Sequence, residues 1–135
     1  MQHHELTITT GRERFTDLTA EVTAFARRHD GDGLLNVFVP HATAGIAIFE
    51  TGAGSEPDLS GVLDDLLPRD DRWRHDHGSP GHGADHVLPA FVAPSTTIPI
   101  RDGRPLLGTW QSVVLVDTNV DNHTRTVHLS LVGVA

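Results

Sequence analysis

The chain contains no cysteine, no lysine and no tyrosine. Without cysteine there is no thiolate nucleophile, no disulfide and no sulfur-ligated zinc. Without lysine there is no Schiff base, and without tyrosine no phenolic acid. Nor does any apolar run approach the length of a membrane span, and Met1-Gln2-His3-His4-Glu5 lacks the basic and apolar regions of a signal peptide, so a cytoplasmic chain is expected. The formal charge of −8 comes without a clustered basic stripe, which argues against nucleic-acid and acidic-membrane partners. At 135 residues the chain should fold as one domain, 1–135.

Catalysis, if there is any, falls to His, Asp/Glu, Ser/Thr, Arg, backbone groups or a bound ion. Ten histidines are present. His41 closes an apolar run, and His75, His77, His82 and His86 crowd one polar, glycine-rich stretch. Histidine is the commonest metal ligand and titrates near neutral pH, so this density asks for a metal or for proton transfer. The plainer reading of His41 is a buried ring satisfied by a backbone carbonyl, and that of any one loop histidine is solvation.

The pattern predicts an α+β fold, a mostly antiparallel sheet of about seven strands with two or three helices. Residues 5–10 alternate as a half-buried strand, and residues 14–18 read as a short strand folded back on it. Thr19 should cap a helix over 20–29 with Val22, Phe25, Ala26 and His29 buried. Residues 34–39, apolar on both faces, read as an interior strand covered on two sides that delivers His41. A strand over 45–50 follows, after small residues 42–45 that leave amides open to a ligand. Ser55-Glu56-Pro57 opens a helix burying Leu59, Val62, Leu63, Leu66 and Leu67.

Residues 69–83 form a long connection of the kind that is usually functional. His82 and His86 stand at i, i+4, and a short helix over 85–93 should bury Val87, Leu88 and Phe91. Arg101-Asp102-Gly103-Arg104 signals a hairpin after a strand over 95–100. A strand across 106–117, apolar on both faces in its second half, and a last strand over 124–132 complete the chain.

His41-x-Thr43-Ala44, a strand ending in Glu50, Arg74-His75-Asp76, Asp85-His86-Val87, Ile98-Pro99-Ile100-x-x-Gly103-Arg104 and Leu107-Gly108-Thr109-Trp110-Gln111 together resemble the YjbQ-like family over nearly the whole chain. The resemblance implies a compact α+β homotrimer with a divalent metal, zinc or possibly magnesium, near the subunit boundary. It implies His41, His75 and His86 as metal ligands and Glu50, Thr43, Gln111 and Arg125 as catalytic groups. Trp110 and Arg104 would bind substrate.

The activity so implied is that of a secondary thiamine-phosphate synthase, a transferase that joins a pyrimidine pyrophosphate to a thiazole phosphate. Three departures stand against the family pattern: Phe49 before Glu50, Thr126 in place of a second arginine, and Gly81-His82-Gly83 before the third histidine, where His82 offers an extra or alternative ligand. Two further readings remain open: a metal-dependent hydrolase of a small substrate, and a non-catalytic trimeric metal- or metabolite-binding protein.

Overall fold

The computed structural model describes residues 1–134. In chain order it forms β1 (Gln2–Thr9), β2 (Phe15–Asp17), α1 (Thr19–Ala26), β3 (Gly33–Phe38), β4 (Ala44–Phe49), α2 (Ser55–Leu66), α3 (His82–Asp85), a 3-10 turn (Leu88–Ala90), β5 (Ser95–Arg101), β6 (Arg104–Pro105), β7 (Ser112–Asp117) and β8 (Thr124–Gly133). The α+β class holds, with eight strands where about seven were expected. Sheet A runs β1-β8-β3-β5-β6 and sheet B runs β2-β7-β4, every neighbour antiparallel.

The sheets share one aliphatic core. Leu35, Val37, Ile98, Ile100, Val127, Leu129 and Leu131 of sheet A meet Ala44, Ile46, Val113 and Leu115 of sheet B, with Val22, Phe25 and Ala26 of α1 packed in beside them. β7 is apolar on both faces because both are buried. Its alternate residues Val114 and Val116 turn the other way, into a second core with Leu63 and Leu67 at the end of α2, Ala84 of α3 and Leu88.

β3 carries the same apolar signature with a different outcome. It lies inside sheet A, between β8 and β5, yet among the described residues no helix covers the outer face of that sheet, and Leu34 and Phe38 stay open within one chain. β2 pairs with β7 rather than with β1, because Phe15 belongs to the second core, edge-on to Phe49 at 6.0 Å, which only sheet B borders. Leu18, not Thr19, is the N-cap of α1, and Asp17 just before it serves the first turn. The Asp17 carboxylate accepts the Thr19 N–H at 2.9 Å and hydroxyl at 2.6 Å, and the same hydroxyl oxygen accepts the Val113 N–H, tying helix to sheet. The helix ends at Ala26, so His29 lies beyond it, bonded to the Asp32 carbonyl at 3.0 Å.

α2 buries a narrower stripe than its pattern predicts. Leu63 and Leu67 are covered, whereas Val62 and Leu66 face outward, because the helix touches sheet B along one i, i+4 ridge. Its N-cap is Gly54 at φ +96°, with Ser55 already inside the helix. The β5–β6 hairpin has positive φ at both Asp102 (49°) and Gly103 (69°), as the Asp-Gly pair predicts. β7 begins only at Ser112. The preceding residues make a turn in which Gln111 bonds Gly108 twice, through its side-chain oxygen (2.8 Å) and its own N–H (3.1 Å).

Candidate metal centre

The connection after α2 is pinned at its start, its middle and its end. The Trp73 indole donates to the Pro68 carbonyl at 2.8 Å. The Arg69 guanidinium forks onto the buried Asp85 carboxylate at 2.5 and 3.3 Å, and Thr118 donates to the same carboxylate at 2.6 Å. Gly81 at φ +88° caps α3, which starts three residues earlier than predicted, at His82, and passes into the 3-10 turn. The chain turns away before Phe91 reaches the core, leaving that ring exposed. Gly83 lets α3 lie directly on Trp73 and the His75 carbonyl, where a Cβ would have no room.

This packing gathers imidazoles. His82 and His86, one helical turn apart, face each other with Nε2 atoms 2.9 Å apart. The His75 ring stacks on both, with centroids 3.9 Å from His86 and 5.0 Å from His82. One nitrogen from each of His75, His82 and His86 lies within 4.8 Å of the others. The His77 ring sits 4.2 Å from His75 and 4.9 Å from His82, outside the donor group.

A second layer holds the first. His82 Nδ1 lies 2.7 Å from the Asp121 carboxylate, with the Asn119 amide at 3.4 Å. Ser79 fixes Asp121 through its hydroxyl and its backbone N–H, and these bonds, with that of His82, hold the carboxyl down at about 2. An ionised Asp121 fixes the proton of His82 on Nδ1 and leaves Nε2 as the donor, the usual outer support of a metal-binding histidine. His75 and His86 are both lowered from 6.5, first by lost solvation and then by neighbouring histidines, so they are neutral at pH 7, the form that binds metal.

Donors about 2.1 Å from a tetrahedral zinc are about 3.4 Å apart, so the 2.9 Å pair needs only a small adjustment to hold an ion. Beside the group opens a cavity of about 330 Å³ bordered by Asp70, Asp71, Asp76, Trp73 and His77.

The other expected site residues lie elsewhere. In one chain His41 is not in the donor group, whose third member is His82. His41 sits on the β3–β4 connection, where its Nδ1 accepts the Thr43 hydroxyl (2.9 Å) and N–H (3.3 Å), and burial, then Arg125, lowers its pKa. The small residues before β4 serve packing, since a Cβ on Gly45 would strike the Val92 backbone and the Ile46 N–H is taken by the Ala93 carbonyl. Thr43 is buried beside His41, Glu50 is exposed beyond β4, and Trp110 is 72% exposed on its loop. Arg104 and Gln111 share a separate groove with Thr19, Thr23 and Arg27.

Arg125 is wholly buried against Asp117, with its Nη1 donating to the Thr124 carbonyl at 2.9 Å. Asp121, Asn119 and Ser79 carry no motif of their own in the sequence. Asn119 and Asp121 lie in the polar turn just after the strand that ends at Asp117, and nothing local marks Ser79.

The family model described as UPF0047 protein YjbQ-like matches residues 4–134. The chain belongs to this family. Among YjbQ-like relatives, a UPF0047 protein of Mycobacterium tuberculosis is 67% identical over 127 residues, covering 94% of this chain and 95% of the relative. The UPF0047 protein YugU of Bacillus subtilis is 34% identical over 131 residues, covering 93% and 94%. Among solved structures, a hypothetical protein of Aeropyrum pernix superposes with a TM-score of 0.89 at 29% identity, covering 99% of this chain and 100% of that one. A protein of unknown function from Sulfolobus solfataricus reaches 0.91 at 22% identity, covering 98% and 97% and showing the shared fold alone.

Proposed function

We propose that this YjbQ-like chain holds a divalent ion of the zinc class through His75, His82 and His86 and acts as a metal-dependent hydrolase of a small, uncharged ester or amide. The observation that carries this reading is the convergence of the three imidazoles with Asp121 behind His82. Three protein ligands are the complement of a catalytic rather than a structural zinc, and such an ion, when bound, would supply Lewis acidity toward the substrate. Asp121 orients His82. His77 borders the same cavity outside the donor group and would carry a proton to or from the reacting oxygen. Trp73 supplies an apolar wall.

The preference for an uncharged substrate rests on charge. Asp71 and Asp76 border the cavity together with Asp70, whose charge is paired with Arg72 at 2.7 Å, while Arg104 lines another groove and Arg125 is engaged by Asp117. A thiamine-phosphate synthase reaction expels pyrophosphate and asks for cations at that place. It is therefore the second reading, supported by the family pattern, with the same ion as the neutralising group. Assembly as a homotrimer is part of the proposal, supported by Leu34, Phe38 and Val132 left open on one sheet face, and light scattering on the purified chain checks it.

The test uses tag-free protein purified without chelator. Metal content and turnover of a panel of neutral esters and amides are compared between the native chain, His82→Ala and His86→Ala. One equivalent of metal per chain is expected to be lost from each variant relative to the native chain, and turnover with it. Turnover that survives metal removal, or metal content in both variants undiminished from the native chain, contradicts the proposal.

A further inference from the structure

On the opposite side of the fold from the helices, the β1–β8 ladder assembles another donor set. The register places Glu5 opposite His128 and His3 opposite Ser130. Residues two apart on a strand share a face, and side chains directly opposite stand about 4.5–5.5 Å apart, so His3, Glu5 and His128 converge on the open face of sheet A. We infer that they form a second, independent site for a zinc-class divalent cation.

The distances favour ligands over a simple ion pair. Glu5 Oε1 lies 3.9 Å from His3 Nε2 and 3.7 Å from His128 Nδ1, beyond hydrogen-bond length from both. The two imidazole nitrogens point at each other, 3.2 Å apart. All three separations bracket the roughly 3.4 Å edge of a tetrahedral zinc shell. His3 is held from behind, its Nδ1 within 3.1 Å of the Ser130 hydroxyl, which leaves Nε2 turned to the group. Phe38 stands opposite His128 in the register on the other flank.

Two imidazoles and one carboxylate select zinc, nickel or copper over magnesium or calcium. With Glu5 and His3 exposed, the ion exchanges more readily than at the His75, His82 and His86 group. All donors belong to one chain, on the sheet face that also carries Leu34, Phe38 and Val132.

The test is equilibrium dialysis of zinc against tag-free, chelator-stripped protein in a non-coordinating buffer, with folding confirmed by circular dichroism. The His82→Gln/His86→Gln variant removes the helical group, so the outcome here does not depend on that group binding metal. That variant is expected to retain one saturable zinc site. Adding His3→Gln and His128→Gln should weaken it at least about tenfold, and Glu5→Gln alone should weaken it in the same direction. No saturable zinc in the first variant, or zinc binding undiminished by His3→Gln and His128→Gln, overturns the inference.

Discussion

Asp121 is the residue on which the orientation of His82 turns. Replacing it with Asn keeps the shape and removes the charge that fixes the proton of His82 on Nδ1. Losses of an outer-layer partner typically cost about 10- to 100-fold in metal affinity. Asp121→Asn should fall in that range, measured by competition with a chromophoric chelator, whereas an unchanged affinity would mean that His82 does not act as a ligand through Nε2.

His41 makes a separate pH prediction. Its folded-state pKa lies below the ordinary 6.5 because burial and the Arg125 charge disfavour the imidazolium. Above about pH 6.5 both folded and unfolded chains leave this ring neutral and it contributes no pH dependence. As pH falls from there through the lower folded value, the unfolded chain takes up the proton first and stability is lost. Urea midpoints of metal-free protein should therefore decline below about pH 6.5, and His41→Gln should make that decline shallower, with His75 and His86, shifted the same way, carrying the rest.

α3 is the element that presents His82 and His86 one turn apart to the proposed centre. Its glycine is a test of which physical effect dominates. Alanine at a helical position gains about 1 kcal/mol over glycine in propensity, while overfilling a packed contact costs about 1–3 kcal/mol. At Gly83 the added methyl would run into Trp73 and the His75 backbone. Gly83→Ala should thus lower the urea midpoint and weaken metal binding, and a stabilised variant with normal affinity would show that the approach of α3 to His75 is looser than described.

This element also shows what the sequence could and could not reveal. The i, i+4 spacing of His82 and His86 was legible, and so was the importance of the connection before them. That His75 would stack on this pair, that Asp121 would stand behind it and that His41 would be tied down by Thr43 all depend on contacts between segments far apart in the chain. The strands follow the same rule. The two-faced apolar pattern of β7 was realised on both sides, but the same pattern in β3 was not, because hydrophobicity records what wants to be buried and not which layer arrives to cover it. The Asp-Gly hairpin was legible because its cause is local. The partner of β2 was not, because Phe15 is placed by a core built from the far end of the chain.

At the scale of the whole molecule, the two sheets are joined at one end by the buried pair Asp117–Arg125, one residue from each sheet. Burial raises the Asp117 carboxyl, with Arg125 as its main counterweight. Taking away one partner of such a pair typically costs about 3–5 kcal/mol, whereas replacing both with apolar residues of similar volume is close to neutral. Arg125→Ala should be strongly destabilising in denaturant titration, and Asp117→Leu/Arg125→Met should recover most of the loss. A mild effect of the single change would place the joint between the sheets in the aliphatic core alone.

The same scale holds the central claim, that the fold brings the connection after α2 and the β7–β8 turn together to make a three-histidine metal centre. Anomalous diffraction at the zinc edge, from crystals of tag-free protein grown with zinc, addresses it most directly. A peak about 2.0–2.1 Å from one nitrogen of each of His75, His82 and His86 is the predicted result. A peak that includes His41 in place of His82, or none at this group while zinc is bound elsewhere, would contradict it.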